Sequence, residues 1–349
     1  AQEKADAERA RLQMTAQAMS DSERRYVMDQ TAALALRQTE VEDLDLLPKV
    51  TLKDVPRDHI YPEPIVTGPV TAYAAGCNGI VYHQLIRELP ELSEADWRLL
   101  PVLNQVAGEL GFGGQDYVAA QNLQQSLTGG ISAFASVRAS LANVNQAGSF
   151  FVLSSRSLAR NASKMMTLLN ETSQGLRFDE TARIAELVRQ SNTRKQMGVV
   201  NQGHSLAMLA ASAAFSKISA LNHQLSGLGS LAFFKGLVAK IEEGDVASLA
   251  ADLAGLYARF QQAPQSAMVI ADEARVPELV NALLQRGSLT QSGPAQQLIH
   301  AEQTALETVY VTETEVNFCA AAYGCPSESS ASVAAVQVLA AVLRNQYLH

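Results

Sequence analysis

The chain has 349 residues, 47% apolar and 18% charged, enough apolar material for a sizeable core and too much for a disordered polymer. Its net charge of −8 argues against nucleic acid as a partner, since phosphates reward clustered Lys and Arg. No stretch reaches the ~18–20 apolar residues of a membrane span, so no membrane partner is expected. The three cysteines (Cys77, Cys319, Cys325) form no C-x-x-C pair and no disulfide framework, which leans toward a reducing compartment.

The chain opens on Ala1 without an initiator Met, so sequence upstream is expected. Residues 1–46 are charged and glycine-free. Ser20 with Glu23 three residues on is a capping box that restarts a helix, which predicts a helical hairpin over 1–18 and 21–40. No apolar seam repeats over three heptads, so the hairpin reads as a connector, not a coiled coil. Pro56, Pro62 and Pro64 then break helix, and residues 65–75 and 79–88 are β-branched and aromatic enough for two strands.

Ser93 is placed to cap a helix of 94–110, and a second helix over 115–127 stops at Thr128-Gly129-Gly130. Ile131, Ala133, Ala135 and Val137 alternate with Ser132, Ser136 and Arg138, the period of a half-buried strand, and 150–154 continues the sheet. From Ser157 the period turns helical, with Leu158, Ala162, Met165 and Leu169 on one face as far as Gly175. Asp179 is placed to cap a long helix, and Ser230 and Asp245 to start others. Residues 266–271 read as a buried strand, and Pro277 opens a helix stopped by Gly287. A polar linker (288–305), a strand (307–322) and a helix (331–349) complete the reading. That helix is apolar on almost every face up to Arg344, a pattern that asks for burial on several sides. Strands precede helices in each unit, so the class is α+β.

Little chemistry is visible in the residues themselves. The six histidines (His59, His83, His204, His223, His300, His349) show no i, i+4 pair, and H-x-x-E-H is absent, whereas zinc needs three or four converging ligands. Cys319 and Cys325 have no nearby His. Gly111-Phe112-Gly113-Gly114 follows a helix, not a strand, so it fails as a phosphate cradle. No G-x-S-x-G elbow and no Cys–His nucleophile stands out. On these grounds the chain has no catalytic, cofactor-binding or metal-binding residues.

An ordered set of short motifs says more. Cys77-Asn78-Gly79-Ile80-Val81-Tyr82, Leu99-Leu100-Pro101, Gly111 and Thr128-Gly129-Gly130-Ile131-Ser132 resemble, in order and spacing, the third domain of the presequence-protease branch of the pitrilysin/insulinase zinc metallopeptidases. Gly203-His204 inside a long helix and Leu225-Ser226-Gly227-Leu228 before another are similar to the same family. The hairpin at 1–46 resembles its connector between halves, and Val316-Asn317-Phe318 with 331–348 resembles the opening of its fourth domain.

The resemblance implies two similar halves closing around a chamber, with zinc held by H-x-x-E-H in the first. Here the counterpart of the zinc helix, within 93–111, carries Leu103-Asn104-Gln105-Val106-Ala107 and no such ligands. A family segment with an Arg and a Tyr near substrate would begin just after His349, so neither role is transferred.

The implied organisation is a connector (1–50), an α+β domain with one mixed or antiparallel sheet covered by helices (51–287), and the truncated start of a second α+β domain (288–349). The implied function is that of a C-terminal-half fragment of a zinc peptidase acting on short unstructured peptides. Its partners would be those peptides and the N-terminal zinc-binding half, with zinc held outside this chain. The alternative is a catalytically inactive homologue acting as a scaffold.

Overall fold

A computed structural model describes residues 2–40, 48–56, 61–139, 146–287, 289–290, 296–298, 307, 309–311, 316–324 and 330–346. These fall into two compact units, Ala1–Tyr61 and Pro62–His349.

The first unit holds α1 (Gln2–Ala18) and α2 (Asp21–Thr39). The predicted capping box divides them: the Glu23 N–H donates to Ser20 Oγ (3.3 Å), and the Ser20 N–H donates to the Glu23 carboxylate (2.8 Å). Two otherwise orphaned amides are satisfied, and the chain restarts as helix at Asp21. Arg24 donates to the Ala16 carbonyl (2.7 Å) across the break.

The second unit begins with β1 (Pro64–Thr67), β2 (Val70–Ala74) and β3 (Ile80–Glu88). The single strand expected over 65–75 is a hairpin, because Gly68 supplies the positive φ of +56° that a tight reversal needs. Then come α3 (Glu94–Val106), α4 (Tyr117–Leu127), β4 (Ile131–Ala139) and β5 (Gln146–Leu158). Ser93 caps α3 in a full capping box with Asp96. Strand β5 outlasts the expected switch to helix at Ser157, since β3 pairs with it through Ile80↔Leu158. The helix α5 starts only at Ala162 and ends at Gly175.

Helices α6 (Thr181–Asn201), α7 (Gly203–Ser212), α8 (Lys217–Ser226), α9 (Gly229–Glu242) and α10 (Val246–Gln262) follow. Asp179 does not cap α6; its carboxylate is taken by Arg177 (2.7 Å). Gly203-His204 lie not inside a long helix but at the start of α7, where the Phe318 ring occupies the space a Cβ on Gly203 would need. Ser230 and Asp245 sit at the starts of α9 and α10 without a capping bond from their side chains.

The strand β6 (Gln265–Ala271) and the helix α11 (Val276–Leu284) match the reading, with Pro277 in the first turn of α11. The linker expected over 288–305 instead contains β7 (Gln296–Leu298), which pairs with Gln146–Gly148 of β5. There β5 extends past the end of β3 and offers a free edge. Among the described residues of 307–322 none forms a strand: Val309 and Val311 stand 88% and 96% exposed. The helix α12 (Ser330–Gln346) closes the described part.

All seven strands form one mixed sheet, ordered β1-β2-β6-β3-β5-β4 with β7 alongside β5. Only β2–β6 is parallel. One face is covered, with α3 against β4, α5 against β5 and β3, α10 against β3, and α11 against β2 and β6. Leu85, Phe151, Leu153 and Val269 pack there with Leu103, Val106, Met165, Leu169, Leu253 and Phe260, all under 5% exposed. In α11, Val276, Leu279, Val280 and Leu283 repeat at i, i+3, i+4, i+7 and are buried, each worth about 1.5–3 kcal/mol.

Candidate functional site

The helix expected to be the counterpart of a zinc helix, within 93–111, is α3, packed against β4. Leu103 and Val106 face the core, Asn104 and Gln105 are half-buried, and the Asn104 Oδ1 has no hydrogen-bond partner. The described histidines lie on three separate elements. His83 of β3 is buried with its Nδ1 3.2 Å from the Met268 carbonyl, His204 lies on α7, and His223 of α8 meets the Tyr310 hydroxyl (2.9 Å). Burial pushes the His83 imidazole down to about 4, with the Met268 carbonyl opposing and Arg286 assisting. Among the described residues no group of three or more His, Cys, Asp or Glu converges as a metal site would require. His59, His300, His349 and Cys325 lie outside the described residues.

The glycine motifs are explained by backbone geometry. In the Gly111 loop, one Glu180 carboxylate accepts the Gly111 and Tyr117 amides (2.7 and 2.8 Å). The loop is pinned to the end of α5 through Gly113 N–H to the Gly175 carbonyl (2.8 Å), and a Cβ on Gly111 would lie 2.3 Å from the Gln115 carbonyl. At the Asn78-Gly79 turn both residues have positive φ, and Asp272 accepts the Cys77 and Gly79 amides (2.8 Å each). Those amides, Gly79 first, hold the Asp272 carboxyl below its ordinary range. Burial, with Asp272 nearby, pushes the Cys77 thiol up, which disfavours it as a nucleophile.

A buried cation orders one end of the sheet. Arg87, 9% exposed on the covered face of β3, donates to the Gln261 and Ala263 carbonyls and to Ser173 Oγ, at 3.2–3.3 Å. These groups lie at the C-terminal ends of α5 and α10, where helix dipoles favour positive charge. Ser173 and Tyr257 extend the network, the latter by donating to the Ser173 carbonyl (2.7 Å).

Opposite the helices, the sheet presents a half-open face. Tyr73, Met268, Ile270, Ile86 and Phe150 are half-buried there and Val152 between Ile86 and Phe134 is buried, while Tyr82, Phe134 and Leu158 stand 38%, 39% and 46% exposed. Gln84, Ser154 and Ser132 form a polar row across the middle, with Arg156 at one side. A cleft of about 590 Å³ lies outside the sheet between α3, α9 and α10. Leu99, Phe233 and Leu237 line it, with Glu94, Arg98 and Lys240 among its charged groups. The one sequence signal for the open face was Phe134, an aromatic residue on the otherwise polar side of β4.

One mixed sheet, covered by helices on a single face and, among the described residues, left without a helix layer on the other, defines the class: an α+β protein. The chain belongs to the family described as Peptidase M16 (group C) associated, whose sequence profile matches residues 1–237. It is an insulinase-family, presequence-protease-like polypeptide. The mitochondrial presequence protease of Danio rerio is 26% identical over 245 residues, 67% of this chain and 23% of that protein. That of Yarrowia lipolytica is 23% identical over 343 residues, 95% of this chain and 34% of that protein. The chain thus spans about a quarter to a third of the curated relatives it matches. A solved peptidase M16 inactive domain from Pseudomonas fluorescens superposes with a TM-score of 0.40 at 17% identity, covering 70% of this chain and 54% of that one.

Proposed function

We propose that this chain is the C-terminal-half portion of a zinc-dependent peptidase that degrades short unstructured peptides within an enclosed chamber. Its open sheet face is the wall and the peptide-contacting surface. Zinc belongs to the N-terminal half of the same protein, held by residues outside this chain. The observation that carries the reading is the open face itself. It combines aromatic and aliphatic side chains with a central polar row, left largely half-exposed on a sheet whose other face carries the packed helices. Such a surface can receive varied side chains without selecting one, as a site for unrelated peptides requires. The family assignment and the fraction of the relatives covered support it.

The test places a photoreactive benzoylphenylalanine at Phe134, or at Glu186 on an exposed part of α6, in the full-length protein under chelator. A fluorescent unstructured peptide should be captured from position 134 and not from 186. Equal labelling at both, or none at 134, overturns the reading, as does peptide cleavage by this chain alone in chelator.

A further inference from the structure

Charge is spread unevenly along the chain, and the imbalance falls on a few helices. Residues 187–241 contain no Asp or Glu but six Lys and Arg, in a protein of net charge −8. They form most of α6 together with α7, α8 and α9. These helices pack on one another, α6 against α9 and α8 against both α7 and α9. The acid-free stretch is therefore one region in space.

Within it one cation is partly buried without a counter-ion. The Lys195 ammonium of α6 donates to Ser230 Oγ (2.9 Å) and to the Leu225 carbonyl (3.5 Å), and lies 4.7 Å from the centre of the Phe234 ring. Among the described residues none of its partners is a carboxylate. Burial pushes this ammonium below its ordinary range. Neutral dipoles and an aromatic face offset only part of the cost of withdrawing a charge from water, and an anion would offset more.

Lys195 lines the first of two adjoining pockets. That pocket, about 180 Å³, lies where α6 meets the turn between α8 and α9, and Arg194 lines it beside Lys195. The Arg194 guanidinium is exposed and has Ser191 Oγ at 3.4 Å as its hydrogen-bond partner. The second pocket, about 270 Å³, lies between α6 and α9, with Val200 and Lys235 in its lining. Val199 and Leu231 line both, so the two form one trough, and no acidic residue lines either. Together they reach the range of about 300–1,000 Å³ common to small-molecule sites.

The chemistry changes along the trough. Two cations stand at its α8–α9 end, while Val199, Leu231 and Val200 make the rest largely apolar. A carboxylate beside Lys195 and Arg194 would gain charge-assisted hydrogen bonds, and an aliphatic body would take Val199 and Leu231 out of water. A bare inorganic anion would leave the apolar part unused.

We propose that this trough binds an aliphatic carboxylate, with the head group at Lys195 and Arg194 and the chain along Val199, Leu231 and Val200. The site is independent of the open sheet face, so either reading can fail alone.

Calorimetric titration of the full-length protein with decanoate, below its micelle concentration, tests the site. One equivalent should bind saturably, acetate should bind at least about tenfold more weakly, and decylamine should not bind. Arg194→Gln and Val200→Asp, both at exposed positions, should each weaken decanoate about tenfold, one at the head group and one along the chain. Lys195→Met should weaken it at least as much, with urea unfolding to check that this variant folds. A peptide ending in leucine, added under chelator, should displace decanoate if peptide termini are the natural source, and leave it bound if free fatty acids are.

No saturable binding of decanoate, or equal affinity in the unaltered protein and both exposed-position variants, would overturn the proposal and leave Lys195 as a cap on the end of α8. Equal binding of decylamine would overturn it too. Binding to phosphatidylglycerol vesicles alone, lost in Arg194→Gln, would make this surface a membrane contact and overturn the small-molecule site.

Discussion

The two faces of the sheet carry side chains of similar character and have different fates. On the covered face Phe151 is 1% exposed, its ring 5.5 Å from Phe260 and 6.0 Å from Tyr257. On the other face Phe134, paired across the same ladder with Val152, is 39% exposed. What separates them is whether helices arrive on that side, and here α3, α5, α10 and α11 all pack on one. An apolar residue is evidence for burial only where a second layer exists to bury it.

This contrast can be broken most forcefully from the covered side. Phe151→Ala removes a ring from the centre of the core and should cost about 3–5 kcal/mol in urea unfolding. A loss under about 1 kcal/mol would mean the face is not the core. Arg87→Met should cost about 2–4 kcal/mol, because the carbonyls of Gln261 and Ala263 lose their donor inside the protein. Arg87→Lys should recover part of this, since an ammonium cannot span both helix ends as the guanidinium fork does.

His83 provides a pH-dependent version of the same test. Its folded value of about 4 lies below the ordinary 6.5, so as pH falls the unfolded chain takes up the proton first. The contribution is whole above about pH 6.5 and is lost as pH falls toward 4, reaching about 3 kcal/mol. His83→Leu should therefore flatten the stability profile across that window while changing little at pH 7. The same slope in both proteins would contradict the burial. The smallest stability effect belongs to the open face. Phe134→Ala should change stability by less than about 1 kcal/mol, yet should reduce capture of peptide by a photoreactive group placed at Tyr82.

Much of this was legible in the chain. Ser20 with Glu23, and Ser93 ahead of its helix, mark helix starts through local hydrogen bonds that need no tertiary partner. Gly287, read as the stop of the helix that Pro277 opens, follows the end of α11 and has a positive φ. The five strands read from 65–75, 79–88, 131–138, 150–154 and 266–271 all fall in the one sheet. The misreadings share a cause. Ser157 reads as helical by period, but β3 is there to pair with it. Glu180, not Asp179, has the structural role at the head of α6, because the Gly111 loop brings two amides to its carboxylate from more than sixty residues away.

The sequence by itself determined the α+β class, the two helices at the start with their break at Ser20, most helix boundaries and the motif order that places the chain in its family. Each of these is set by periods, caps and turn residues acting over a few positions. Only the tertiary structure decided which face of the sheet stays open, that Arg87 joins two helix ends, and that β4 is an edge strand. Those properties depend on which strands become neighbours across long stretches of chain. The alternation of β4 predicts its two faces but not its edges, because neither side-chain type nor spacing records which side of a strand is left without a partner.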